Sequence, residues 1–161
     1  MAGSQVTTVV SVVGGVVGLI ALTVAWSQMR IASAKTKLDL YNKRFSVYVA
    51  ALELYQCACT SSKEGIKDRF NKLTQGCRES RFLFDEKDGV HETLIRIQKA
   101  GGIILTQHES KLDPLTKNDL VRALYEKSVE AFHAMEKDIL ALEEQLKDYL
   151  SFHNVRGWTL F

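Results

Sequence analysis

The residues best suited to chemistry in this chain are cationic and lie in its middle. Arg69, Lys72, Arg78 and Arg81 come within one short stretch, and Arg96 and Lys99 follow on the next helical pattern. Guanidinium pairs grip phosphate bidentately, so antiparallel packing of the two helices would make Arg69, Arg78, Arg81, Arg96 and Lys99 a candidate contact for a small anionic ligand or a lipid head group. The plainer reading is a solvated face, because Glu64, Asp68, Glu79 and Glu92 interleave with these cations at helical spacing. The other reactive types do not assemble. His91, His108, His133 and His153 are scattered; His91-Glu92 lacks a second ligand one turn on, and His133 with Glu136 has no repeat elsewhere. Nucleotide loops, nucleophile elbows and HExxH patterns are absent from the sequence. Cys57, Cys59 and Cys77 are odd in number, and the first two stand about 200° apart on a helix, so they read as small packed hydrophobes. The sequence therefore predicts no catalytic, cofactor-binding or metal-binding residue, and a protein that is not an enzyme.

The element organising the chain is the run Val6 to Trp26, which contains neither a charge nor a proline. As a helix it measures about 31 Å, enough to cross a hydrocarbon core. All Lys, Arg, Asp and Glu lie at or beyond Arg30. Arg30, Lys35, Lys37, Lys43 and Arg44 follow the span, whereas nothing basic precedes it, which predicts an outer N-terminus and a cytoplasmic C-terminal part. The same five residues suit an anionic lipid surface. A cleaved signal peptide fits less well, for want of a basic leader before an apolar run of this length. The chain as a whole is near neutral, with a net charge of +2 and a pI of about 8.4, which argues against duplex nucleic acid as a partner. The expected organisation is a transmembrane anchor over residues 1–29 and a cytoplasmic helical domain over 30–161.

Within the span, Ser4, Thr7, Ser11, Gly14, Gly18, Ala21, Ala25, Gln28 and Ala32 recur at spacings of three and four. Lipid supplies no hydrophobic drive between helices, so association depends on close approach at small residues. Ser11, Gly14, Gly18, Ala21 and Ala25 are thus the expected homo-oligomerisation face; with more than two helices the same face could line a narrow pore.

The remainder reads as all-α. A first helix continues through the membrane surface to about residue 60, with an apolar seam of Ile31, Ala34, Leu38, Tyr41, Phe45, Tyr48, Leu52, Tyr55 and Cys59. Ser61 and Glu64 have capping-box spacing and predict the start of a second helix running to about Phe84, with Gly76 marking a close crossing. Asp85 to Gly89 predicts a turn, and a third helix follows from Val90; Gly101-Gly102 could kink it, a strand at 103–106 being the lesser alternative. Pro114 breaks the pattern, and Thr116 would cap a last helix with a seam through Val121, Leu124, Ser128, Phe132, Met135, Ile139, Leu142, Leu146 and Tyr149. Together these predict a four-helix bundle-like domain, with a dimerising helical hairpin as the alternative. The tail, Val155 to Phe161, is expected either to dock on the bundle or to dip into the membrane interface.

The segment KLDLYNKRFSVY after the span (Lys37 to Tyr48) and ESRFLFDEKDGVHETLIRIQKA (Glu79 to Ala100) resemble a group of small bacterial single-span membrane proteins. The resemblance covers about a fifth of the chain and implies bacterial origin and one-span topology, and with them the inner membrane is the expected location. The group has no established catalytic motif, so no functional residue carries over. Anchored proteins of this shape serve as membrane effectors or accessory subunits in bacterial antiviral defence. The functional expectation is a self-associating membrane protein whose helical domain senses a protein partner or ligand; a passive tether and a membrane-surface enzyme on a phosphorylated substrate are the alternatives.

Overall fold

The computed structural model describes the backbone of residues 2–60, 65–112 and 118–151, and the side chains of 14–60, 65–110 and 119–151. The Ser61/Glu64 capping box, Pro114, Thr116, His153, the tail from Val155 and the side chains of Ser4, Thr7 and Ser11 lie outside the described residues. Among the described residues there are four α-helices and no strand: α1 Ala2–Cys59, α2 Ile66–Leu83, α3 Val90–Leu112 and α4 Asn118–Leu150. The chain divides into two compact units, Met1–Asp39 and Leu40–Phe161, a boundary ten residues beyond the compositional one.

The first unit is helical throughout its described length, and from Gly14 to Asp39 every residue but Ala34 is exposed. Its hydroxyl side chains turn back on their own helix. Thr23 Oγ1 donates to the Ile20 carbonyl at 2.8 Å and Ser27 Oγ to that of Val24 at 2.8 Å. Such back-bonding satisfies a polar group without water, which is what an apolar surrounding demands.

The second unit packs residues 40–59 of α1 with α2, α3 and α4 around one core. α3 lies against both α2 and α4. The short link from α2 to α3 is built by its sequence. Phe84 leaves the helix in an extended conformation, Asp85 accepts the Lys87 N–H at 3.4 Å to cap a single 3-10 turn at Glu86–Asp88, and Gly89 takes the left-handed φ of 69° that ends it. The turn expected over Asp85 to Gly89 is therefore present. α3 runs without a break through Gly101-Gly102, so the strand does not form.

One boundary and one seam differ from the sequence reading. α2 begins at Ile66, after Gly65 with φ of 88°, rather than at the Ser61 cap. On α1 the buried stripe is Val47, Ala50, Ala51, Leu54 and Cys57, not the aromatic seam. Tyr48, Leu52 and Tyr55 are half-buried at its edge, while Leu38 is 53% and Phe45 44% exposed. The buried face is thus turned by about one residue, or 100°. α1 meets α2 where a Cβ on Gly76 would lie in ordinary contact, 3.7 Å from Val47 Cγ1. The crossing expected at Gly76 is this one. The α4 seam is close to the sequence reading, with Ser128, Met135, Ile139, Leu142 and Leu146 buried.

All four helices meet at one point. A Cβ on Gly101 of α3 would lie 2.7 Å from Leu54 Cδ2 of α1, 3.4 Å from Phe70 Cδ2 of α2 and 3.6 Å from Met135 Cε of α4. Leu54 and Met135 are completely buried there.

Candidate functional site

On the small-residue face of α1, Gly14, Gly18, Ala21 and Ala25 are all exposed, and a Cβ on either glycine would meet nothing within 4 Å. The face is therefore open to another helix along its described length. Ser11 belongs to it by spacing, but its side chain is outside the described residues.

The five basic residues after the apolar run divide. Arg30, Lys35, Lys37 and Lys43 are exposed. Arg44 instead enters the packing of the second unit. Its Nε donates to the carbonyl of Leu83, the last residue of α2, at 2.9 Å, and its guanidinium carbon lies 4.6 Å from the Tyr149 ring centroid and 5.9 Å from that of Phe84. A cation at a helix C-terminus complements the dipole and satisfies an orphan carbonyl, while the ring faces attract it further. Phe84 and Tyr149 pack edge to face at 5.2 Å. The Tyr149 hydroxyl accepts the Asp85 N–H at 3.1 Å and donates to the Asp88 carboxylate. Burial, then that bond to a carboxylate, pushes the Tyr149 phenol up from its ordinary value. The Lys87 side chain holds the Asp85 carboxyl low by hydrogen bonding.

This cluster ties α1, the α2–α3 turn and α4 together at one end of the bundle. Beside it lies a cleft of 480 Å³ whose lining includes Arg44, Asp88, Glu144, Gln145 and Tyr149. Sequence reasoning missed the arrangement because residues 44, 88 and 149 share no periodicity; only the fold makes them neighbours.

The candidate anion-binding residues are spread over three settings. Arg69 lines a 510 Å³ cleft between α1 and α2 together with Lys72, Asp68 and Glu53, and Lys72 is bound there to Glu53 at 2.8 Å. Arg96 pairs with Asp138 of α4 at 2.8 Å and donates to Thr93 Oγ1 at 3.1 Å. Arg78, Arg81 and Lys99 are exposed. Arg96 and the neighbouring Lys72 are thus paired with carboxylates from other helices.

The nucleophile types are engaged as well. Cys57 and Cys77 are buried, whereas Cys59, expected to pack, is exposed at the end of α1. Burial pushes the Cys77 thiol up to about 11, and its Sγ donates to the Leu94 carbonyl at 3.5 Å; a thiol kept protonated is a poor nucleophile. His91 Nδ1 is 2.9 Å from Ser80 Oγ, and His133 is exposed beside Glu136 at 3.8 Å. Tyr48 donates to Glu143 Oε1 at 2.8 Å, and burial followed by this carboxylate pushes its phenol up to about 12. Among the described residues no set of three His, Cys, Asp or Glu side chains is arranged to hold a metal ion.

No protein-family model matches the chain, and neither does any curated protein or solved structure.

Proposed function

We propose that this chain is a single-pass membrane protein of the bacterial inner membrane, anchored by α1, self-associating through Gly14, Gly18, Ala21 and Ala25, and carrying a cytoplasmic helical domain that binds a partner rather than performing chemistry. The observation carrying this reading is the state of α1 beyond Gly14. Its most apolar 18-residue window has a mean hydropathy of 1.4, and none of that window is buried within the chain. Val16, Val17, Leu19, Ile20, Leu22, Val24, Trp26 and Met29 are each between 49% and 67% exposed. So large an exposed apolar surface marks a lipid or partner interface. Four exposed cations, Arg30, Lys35, Lys37 and Lys43, follow it and support a cytoplasmic domain beside anionic lipid.

The oligomer rests on the phase of the small residues, and the coupling of domain to span rests on the absence of Gly and Pro from residues 27–60. In its fullest form, partner binding tilts the span and perturbs the bilayer, as an effector of antiviral defence does. In its simplest form the span is a tether.

Alkaline carbonate extraction and disulfide crosslinking of single cysteines placed along α1 test both parts. The expected result is retention in the membrane pellet and crosslinking that peaks on the Gly14/Gly18 face. Substituting Gly14→Leu and Gly18→Leu should keep insertion and abolish crosslinking. Extraction into the supernatant would overturn the anchor, and crosslinking indifferent to helix face would overturn the oligomer. Retained function after replacing residues 1–28 with an unrelated span would reduce the protein to a tether.

A further inference from the structure

The cleft between α1 and α2 holds one cation and one carboxylate that form no ion pair among the described residues. Its volume of 510 Å³ falls within the roughly 300–1,000 Å³ of small-molecule sites. Glu53 and Gln56 line it from the end of α1, Thr60 from just beyond, and Asp68, Arg69 and Lys72 from the first turns of α2. Of its two cations and two carboxylates, Lys72 and Glu53 are joined at 2.8 Å, which leaves Arg69 and Asp68. Arg69 is held in place by its own backbone. Its N–H donates to the Gly65 carbonyl at 3.0 Å, and its side chain folds over that glycine, where a Cβ would collide with Nη1. Gly65 has a φ of 88°, so the residue that turns the chain into α2 also leaves room for the guanidinium. Arg69 is half-buried there. A guanidinium drawn partly out of water without a counter-ion forfeits hydration, which an anion in the cleft would replace.

The lining also selects the class of ligand. A polyphosphate would meet Asp68 and Glu53 as well as the cations, and unlike a small ligand it could not avoid that repulsion. What the internal ion pair leaves over is one guanidinium and one carboxylate. The guanidinium offers its planar fork to a carboxylate. Asp68 accepts from an ammonium. Thr60 Oγ1 adds a second acceptor, because its own proton is directed at the carbonyls of Gln56 and Cys57, at 3.1 and 3.3 Å. We propose that this cleft binds a small zwitterion of the amino-acid type, with its carboxylate on Arg69 and its ammonium on Asp68 and Thr60. Of the cations that the sequence groups as an anion contact, Arg78, Arg81, Arg96 and Lys99 do not line the cleft. The proposal rests on the helical domain being a binding domain, as read above, and not on the span or its self-association.

The test is isothermal titration calorimetry of the full chain in lipid nanodiscs against each of the common amino acids. The expected result is that at least one binds saturably, with a Kd below about 1 mM. Its N-acetyl and α-amide derivatives each lack one of the two charges and should bind at least about tenfold more weakly. That comparison uses the unaltered chain, so no variant has to fold for it to be read. Arg69→Gln and Asp68→Asn should weaken the parent amino acid by a similar factor. Arg69→Lys, which keeps the charge and loses the fork, should fall between Arg69→Gln and the unaltered chain. Arg78→Gln, on the exposed side of α2, should change nothing. Absence of saturable binding by any amino acid up to about 10 mM overturns the proposal. So does equal binding of the N-acetyl derivative or of inorganic phosphate, which identifies a plain anion site, or undiminished binding to an Arg69→Gln chain whose circular dichroism is unchanged. Failure of the anchor would show in the carbonate extraction, which this titration does not read.

Discussion

Substituting Gly101→Ala tests the point where the four helices converge. A methyl group there would sit 2.7 Å from Leu54 Cδ2, closer than non-bonded carbons approach, with Phe70 and Met135 in ordinary contact at 3.4 and 3.6 Å. Two effects oppose each other. Removing a mid-helix glycine stabilises α3 by about 1 kcal/mol, whereas overpacking a filled core costs about 1–3 kcal/mol. Leu54 and Met135 are fully buried, so Leu54 cannot simply swing away, and the expected net effect is a destabilisation of about 0–2 kcal/mol. The decisive experiment is the double-mutant cycle with Leu54→Ala, which alone should cost about 2–5 kcal/mol through the cavity it leaves. In that background the clashing atom is gone. The added methyl enters the cavity and gains both helix propensity and about 0.8 kcal/mol of burial, so Gly101→Ala should become stabilising by about 1–2 kcal/mol. The change between backgrounds corresponds to a coupling of about 1–4 kcal/mol. Urea unfolding followed by circular dichroism, with α1 held in detergent micelles, measures all four corners. If Gly101→Ala has the same sign and size in both backgrounds, the crossing is not the close contact described.

Other outcomes follow from the same packing. Arg44→Ala should lower stability by about 1–3 kcal/mol, from a charged hydrogen bond to the Leu83 carbonyl and stacking on Tyr149. Arg44→Lys should recover less than half, because an ammonium cannot stack and donate at once, as parallel denaturation curves would show. In an ultraviolet titration of the tyrosines, Tyr48 should ionise late, near pH 12, and Glu143→Gln should move it partway back while burial holds the rest. Because the folded pKa exceeds the ordinary 10.0, the associated stability is complete below about pH 10 and is lost as pH rises through about 12. A Tyr48→Phe chain should lose that part of the alkaline instability. Of the native thiols, Cys59 should be modified rapidly in the folded chain, and Cys57 and Cys77 only at the rate of unfolding, as timed mass spectrometry would show.

Much of the architecture was legible because it rests on composition and period. The uncharged run before Arg30, the Asp85–Gly89 turn and the α4 seam each follow from local rules, and the structure contains all three. The α1 seam was misread because a hydrophobic pattern weights Tyr and Phe above Ala, whereas the buried stripe includes the small Ala50 and Ala51 and leaves the rings at its edge. The basic set from Arg69 to Lys99 was visible as a cluster in sequence but not as ion pairs, since the partners Glu53 and Asp138 lie on other helices.

By itself the sequence determined that the chain is helical, that one stretch is apolar enough to span a bilayer, and where the charges begin, because these are properties of neighbours along the chain. Only the tertiary structure decided which face of α1 is buried, that Arg44 leaves the basic flank to bridge Leu83 and Tyr149, and that Leu54, Phe70, Gly101 and Met135 meet at one point. Those outcomes depend on distances between residues far apart in sequence, which steric fit sets and local periodicity does not encode.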